Sequence, residues 1–344
     1  MDTVFRLVAL VLRDRLSPEA YAISLTSMSI PIMTLFLNLL ISLTAHGAGL
    51  EVLEREYHSS PPPTPPAQSY FLGGGGSGAE MFVPFVAASG GGHIVVLKAS
   101  QYEKDWYNRT MDDFGSFRRI TTLIFDDRQG AFDPQAASII RQADALFIAG
   151  GDQSKYVNYW SGTPVAQAIK DHLFQGRPLG GTSAGLAIMG SYVFSAQNGG
   201  VTSDEALRDP FHPRITIEQG FMSIGPLRNL ITDTHFSERD RLGRLVTFMF
   251  RSYELSHKQS PRGIGVDEGT VAIVDHNGKL QVRGPGQVYL FSFSAKPSLT
   301  NGRIQAEVLV STLSEGDDFD LSAWKGSVPT NILIFRDGTI RPRE

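Results

Sequence analysis

From Tyr70 onward, short apolar runs alternate with stretches of helical period. YFLGGGG (Tyr70–Gly76), HIVVLKA (His93–Ala99), TTLIFDD (Thr121–Asp127) and ALFIA (Ala145–Ala149) read as strands, and Ala79–Ser89 as a helix. After the last of these, Thr163 and Pro164 supply an N-cap and a first-turn proline. Val165, Ile169 and Leu173 then recur four apart on one helical face, and Gly176 ends the helix. Pro178-Leu179-Gly180 opens another short strand, followed at once by GTSAGLAIMG (Gly181–Gly190). This rhythm predicts an α/β fold, a mostly parallel sheet flanked by crossover helices. Gly263–Val266 and Thr270–Val274 read as further strands. Gln281–Phe291 reads as a hairpin centred on Gly284-Pro285-Gly286, and the chain from about Ala306 is strand-rich.

The pattern breaks ahead of Tyr70. Ser59–Gln68 (SSPPPTPPAQ) is a proline-rich spacer expected to be extended and solvated, because proline lacks the backbone donor that helix and sheet need. The expected division is therefore a leader region over 1–58, a linker over 59–68 and a catalytic α/β hydrolytic domain over 69–344. Within the leader, Ile30–Leu43 is an apolar run of signal-peptide length, short for a membrane span, followed by small residues at Ala45–Ala48. Export through this run and a cytoplasmic location are both open.

Composition narrows the chemistry. The 344 residues are 42% hydrophobic, enough for a sizeable core, and 31 basic against 35 acidic residues leave a net charge of −4. No nucleic-acid partner is indicated by that charge. The absence of cysteine excludes a disulfide framework, a thiolate metal site and a cysteine nucleophile. No metal-binding spacing is present, and no cofactor is called for.

Gly181-Thr182-Ser183-Ala184-Gly185 has the G-x-S-x-G form of a nucleophile elbow, in which a tight strand-to-helix turn lifts the serine above the sheet. A serine hydroxyl needs a base to take its proton and aimed N–H groups to hold the oxyanion. The amide of Ala184 is the natural first donor. Gly151, in the Gly150-Gly151-Asp152-Gln153 loop after the preceding strand, is the second.

Among the histidines, His46 and His58 fall in the leader, His172 beside Asp171 is expected to face solvent, and His276 sits in an Asp-His-Asn-Gly turn. His235 differs: it follows the apolar Leu230-Ile231 run and precedes a helix-like segment, Phe236–Leu245, so it can point across the sheet toward a nucleophile. A base of this kind needs a carboxylate to fix its tautomer. Asp267 and Glu268, just after the Gly263–Val266 strand, are two candidates of which only one can face the histidine. Spacing does not choose between them. The order serine, histidine, acid disfavours the α/β-hydrolase fold.

FIAGGDQ (Phe147–Gln153), GGTSAG (Gly180–Gly185), DTHFSERDRLGRL (Asp233–Leu245) and GIGVDEGT (Gly263–Thr270) together resemble the signature blocks of cyanophycinase and its relatives in the S51 serine peptidases, in the family's order. The resemblance spans roughly Tyr70–Phe291. It implies a class I glutamine amidotransferase-like fold, usually dimeric. It makes Ser183 the nucleophile, His235 the base, Glu268 its carboxylate, and Gly151 and Ala184 the oxyanion hole. Gln153, Asp233 and Thr234 would line the substrate pocket, and Arg239, Arg241 and Arg244 would include the groups that grip substrate carboxylates, a task suited to the guanidinium fork. Positions two apart in a helix do not face alike, so at least one of these arginines is expected to coat a solvated face. The implied substrate is a polyaspartyl-arginine polymer or related peptide, releasing β-Asp-Arg dipeptides. Alternatives are an α-aspartyl dipeptidase and a non-catalytic binding protein of the same fold. The chain departs from the family at Thr234, where glutamine is common, and at Leu186.

Overall fold

The computed structural model describes residues 49–57, 64–76, 78–222, 224–256 and 259–343. The Ile30–Leu43 run and the first half of the proline-rich spacer lie outside the described residues. Strands are numbered in chain order. The first sheet runs, side by side, β1 (Leu50–Glu56), β4 (Arg119–Phe125), β3 (His93–Lys98), β5 (Ala145–Ile148), β6 (Leu179–Thr182), β2 (Ser69–Gly73), β11 (Val271–Asp275), β12 (Lys279–Arg283), β16 (Asp318–Asp320) and β17 (Lys325–Gly326). Parallel pairing is confined to its middle, β4-β3-β5-β6-β2, and antiparallel strands extend both edges. The second sheet runs β19 (Thr339–Pro342), β18 (Thr330–Arg336), β15 (Arg303–Leu313), β13 (Val288–Phe293), β10 (Arg262–Val266), β9 (Leu230–Asp233), β7 (Tyr192–Phe194) and β8 (Ile217–Gln219), with β14 (Ser298–Thr300) paired to β15.

Period-2 alternation decides which helix each face of the first sheet receives. Val95, Leu97, Leu146 and Ile148 pack with α3 (Pro134–Gln142), α4 (Gln153–Trp160) and α5 (Pro164–Phe174). Ile94, Val96 and Phe147 face the other way, onto α1 (Ala79–Ala88) and Tyr107 of α2 (Trp106–Thr110). Helix α5 forms as its signals predict: Thr163 accepts from the Ala166 amide, and Val165, Ile169 and Leu173 are buried. The second sheet packs Ile231, Phe291 and Val308 against α7 (Ser203–Arg208) and α8 (Leu242–Leu255). Its opposite face gives Leu230, Ile264 and Leu290 to the core of the first.

Four readings of the sequence are corrected. Residues 50–56, assigned above to the leader, form edge strand β1, registered Leu50 opposite Phe125 through Glu56 opposite Arg119. Its acidic outer half hid it, although charge at an exposed edge is a normal protection against further pairing. The described part of the spacer is extended, but it is tied down rather than wholly solvated: Thr64 N donates to Gly90 O (2.7 Å) and Ala67 N to Ala88 O (2.9 Å). The expected hairpin at Gly284-Pro285-Gly286 is absent because β12 and β13 belong to different sheets. Gly286 N bonds Thr270 Oγ1 (2.8 Å) and Gln287 N bonds Asp267 Oδ2 (2.9 Å), which carries the chain across instead of back. Finally, His172 does not face solvent; it is fully buried, with Nε2 2.9 Å from Pro178 O.

Candidate active site

Ser183 sits between β6 and the single-turn helix α6 (Ala184–Ala187), at φ 51° and ψ −118°. A non-glycine residue there is strained, and such strain is commonly held at functional turns. The elbow must press against β5, since a Cβ at Gly185 would lie 2.2 Å from Ile148 O. Only a residue without a side chain fits that approach, which accounts for the last glycine of the motif.

The histidine arrives from the second sheet. His235 follows β9 at φ 45°, a second strained position, and its Nε2 lies 2.7 Å from Ser183 Oγ. Its Nδ1 hydrogen-bonds Glu268 Oε1, from the turn after β10. Serine, imidazole and carboxylate thus form one continuous relay. Phe236–Leu245 is less helical than its sequence suggests: residues 236–240 are turns and α8 starts only at Leu242, so His235 is held by a turn, not by a helix start.

By pattern YFLGGGG reads only as a strand, yet its glycines stitch the three segments together. Gly73 O accepts from Ser183 N (3.0 Å), Gly74 O from His235 N (2.8 Å) and Gly75 O from Gly269 N (2.8 Å). Gly75, at φ 134°, lies against the imidazole: a Cβ there would come 2.3 Å from His235 Cε1. Four consecutive glycines after an apolar strand were the available signal.

The structure separates the two adjacent acids. Glu268 reaches the imidazole, while Asp267, 4% exposed, turns away to accept from Ser237 N (2.8 Å) and Gln287 N (2.9 Å). Asp267 therefore braces the turn that carries His235. Glu238 Oε1 in turn accepts from Glu268 N (3.0 Å). Burial lowers the His235 pKa below its ordinary value, against the Glu268 hydrogen bond, which raises it; Arg239 and Arg241 add to the lowering. A neutral imidazole, the form able to accept a proton, is thereby favoured at neutral pH.

Beside the serine lies a cavity of about 520 Å³, bounded by Gly150, Gly151, Thr182 and Ser183 on one side and by Phe82, Lys98 and Tyr107 across from them. A Cβ at Gly150 would be 3.6 Å from Ser183 Cβ, which sets this loop alongside the hydroxyl. Tyr156 Oη, 2.9 Å from the carbonyl oxygens of both Ala149 and Gly150, pins it. Gln153 is the first residue of α4, half-buried, beyond the Asp152 N-cap.

Three residues expected to contact substrate are otherwise engaged. Asp233, 3% exposed, accepts from Arg244 Nε (2.7 Å) and Arg244 Nη2 (2.6 Å), and from Arg241 Nη1 (3.2 Å). Arg244 is itself buried, and Thr234 is buried with its carbonyl and hydroxyl both turned to Arg241 Nη1. Asp233, Thr234 and Arg244 therefore form an internal network under the histidine turn, in place of the pocket wall expected of them. Burial alone would raise the Asp233 pKa, but the two arginines override it and hold the carboxyl below its ordinary value. Arg241 is partly exposed at the edge of this network. Arg239 alone of the three extends into solvent, 3.8 Å from Glu268 Oε1.

Two sheets, an elbow at a strand end and a relay of serine, histidine and carboxylate define an α/β protein with the class I glutamine amidotransferase-like fold. A crystal structure of a peptidase from an acI-B1 actinobacterium shares this architecture, with a TM-score of 0.51 and 18% identity over 74% of this chain and 97% of its own. The family model described as peptidase family S51 matches residues 103–281, and the chain belongs to that family. Cyanophycinase of Geminocystis herdmanii is 28% identical over 204 residues, 59% of this chain and 69% of its own. Cyanophycinase of Trichormus variabilis is 30% identical over 183 residues, 53% and 56% respectively. The matched stretch thus spans between just over half and just over two thirds of these relatives.

Proposed function

We propose that this peptidase is of the serine type and hydrolyses aspartyl or β-aspartyl peptide bonds through an acyl-enzyme, in the manner of a cyanophycinase. The observation that supports it most is the 2.7 Å approach of Ser183 Oγ to His235 Nε2, with Glu268 on the opposite ring nitrogen. Ser183 Oγ attacks the scissile carbonyl as its proton passes to His235 Nε2, and Glu268 stabilises the resulting imidazolium. The amides of Gly151 and Ala184 hold the oxyanion. Collapse of the intermediate breaks the C–N bond, and the leaving amine takes the proton from His235. Water then repeats the sequence on the ester and frees Ser183. The relatives named cyanophycinase favour as substrate a polymer with an aspartate backbone bearing arginine, cut to β-Asp-Arg dipeptides.

Covalent labelling by a phosphonate serine reagent tests the chemistry. Label is expected on the unmutated protein at Ser183 and none on Ser183→Ala, whose turnover falls by roughly a millionfold. Equal labelling of the alanine variant defeats the assignment. Mass spectrometry of products from cyanophycin, set beside aspartyl dipeptides, separates the polymer substrate from dipeptides.

A further inference from the structure

The Gly150–Gly151 peptide unit borders the cavity beside Ser183, and little in its own loop decides which way it faces. Gly151 sits at φ 144°, a conformation open to glycine, and its predecessor is glycine too, so turning the peptide plane meets no side chain at either end. What holds it acts on the carbonyl. Tyr156 Oη lies 2.9 Å from Gly150 O and 2.9 Å from Ala149 O, one hydroxyl proton shared between two acceptors. A trans peptide is planar, with its C=O and N–H on opposite sides. Tyr156 belongs to the core of Leu97, Leu146 and Ile148 on the α4 face of the first sheet, so the Gly150 carbonyl is drawn to that face. The Gly151 N–H is thereby turned to the other, the face of Ala149, Phe82 and Tyr107 on which the cavity lies. Among the described residues that amide donates to no partner. Tyr156 itself is fully buried and stacks on Trp160, ring centroids 4.5 Å apart. Packing alone would be served by phenylalanine, since burying a hydroxyl is costly unless it is hydrogen-bonded. Burial also raises the Tyr156 pKa above its ordinary value, so the hydroxyl keeps its proton and stays a donor throughout the neutral range.

We propose that Tyr156 is a positioning residue for the oxyanion hole: by holding the Gly150 carbonyl on one face of the sheet it keeps the Gly151 N–H aimed at the reacting carbonyl beside Ser183. This rests on the peptidase reading above, in which that amide is an oxyanion donor. Without the hydroxyl the peptide plane is free to turn over, and a carbonyl oxygen then meets the developing negative charge in place of a donor. The helix that carries Tyr156 starts directly after the loop, with Asp152 as its N-cap accepting from Ser154 N (2.9 Å). Loop and latch are therefore one short stretch of chain, and the latch touches neither substrate nor relay.

The test is Tyr156→Phe, which removes one oxygen and leaves the ring on Trp160. On cyanophycin or aspartyl-leucine, whichever the unmutated protein cleaves, kcat per labelled serine is expected to fall by about 100-fold, the scale of one lost oxyanion donor, with KM nearly unchanged. Affinity for an aspartyl aldehyde, whose adduct with Ser183 puts an oxyanion in the hole, should fall in parallel. Tyr156→para-aminophenylalanine, which returns a donor to the same place, should recover most of the rate. A tyrosine that serves stability alone would lower the melting temperature and leave kcat per labelled serine as it was, and that result overturns the proposal. Where Tyr156→Phe folds poorly, the Gly151 amide resonance of the unmutated protein serves instead: it should shift when the aldehyde adduct forms, and an unmoved resonance overturns the proposal. A crystal structure of Tyr156→Phe separates the two readings. A turned Gly150–Gly151 peptide, in a protein whose unmutated form neither labels at Ser183 nor cleaves an aspartyl bond, sinks the peptidase chemistry and keeps the latch. An unturned peptide with undiminished turnover does the reverse.

Discussion

The segments that meet at Ser183 and the arginine-bearing turn over residues 233–244 adjoin each other, yet their charged groups are held in opposite ways. Around the serine, backbone carbonyls of Gly73, Gly74 and Gly75 do the holding, and the side chains of Ser183, His235 and Glu268 are left free to meet one another. In the turn, side chains do the holding, and Asp233, Arg241 and Arg244 satisfy each other inside the fold. A reactive group is available for chemistry only when something else positions it. The adjacent pair Asp267 and Glu268 shows both cases within two residues.

That pair gives the sharpest way to break the comparison. Glu268→Gln should lower kcat by roughly a thousand- to ten-thousandfold, because the imidazolium loses its partner and the tautomer is no longer fixed. Its melting temperature should barely change. Asp267→Asn should do the reverse, costing about 1–3 kcal/mol of stability by presenting an amide to Ser237 N and Gln287 N. Kinetics and thermal melting on the two variants decide it; a rate loss in Asp267→Asn as large as that of Glu268→Gln would show that the acids share the catalytic role.

Next in size is Arg244→Met. Removing one partner of a buried pair leaves Asp233 undercompensated, a loss of about 3–5 kcal/mol. Chemical denaturation should show it, while the folded fraction still labels at Ser183. Stability unchanged within error, with KM strongly raised, would return Arg244 to the substrate pocket.

Two buried histidines far from the site should make the fold itself acid-sensitive. Burial pushes the His93 pKa down to about 3 and that of His172 down to about 4. His93 is in addition faced by Arg119, which donates to its Nδ1 (3.1 Å), while Nε2 lies 2.8 Å from Thr121 Oγ1. Unfolding restores the ordinary value of about 6.5, so the unfolded chain binds the extra protons. Stability is therefore fully present above pH 6.5 and falls below it by about 1.4 kcal/mol per pH unit per histidine, until pH reaches each folded value. Denaturation midpoints from pH 7 to 4 should show a shallower slope in His172→Gln; an unchanged slope would mean the ring stays neutral in the unfolded chain too.

How far the sequence carries follows from which interactions are local. Helix α5 was legible because its cap, proline and apolar face are neighbours in the chain, and the elbow because its glycines are required by one tight turn. Strand β1 was hidden because its partner β4 lies more than sixty residues away, and the β12–β13 hairpin was misread because Asp267 and Thr270 redirect that loop from a distance. The arginines illustrate the same limit. Their residue type suits a substrate carboxylate or a buried aspartate equally, and only the fold reveals that Asp233 claims two of them.

Arg239→Ala is the smallest effect and the finest probe of the contrast. The side chain is 53% exposed and touches Glu268 only at 3.8 Å, so its removal should alter stability by no more than about 0.5 kcal/mol. It does act on the relay: its charge lowers the His235 pKa, after the larger effect of burial. Without it the acid limb of kcat/KM, which should lie below the ordinary histidine value of about 6.5, moves to higher pH by a fraction of a unit. That shift should shrink at high salt, which screens an exposed charge. The fall in kcat/KM on an aspartyl substrate should stay within about tenfold, as for a solvated charge near a site. A loss beyond a hundredfold with unchanged melting would mean that this arginine, alone among the three, closes on the substrate itself.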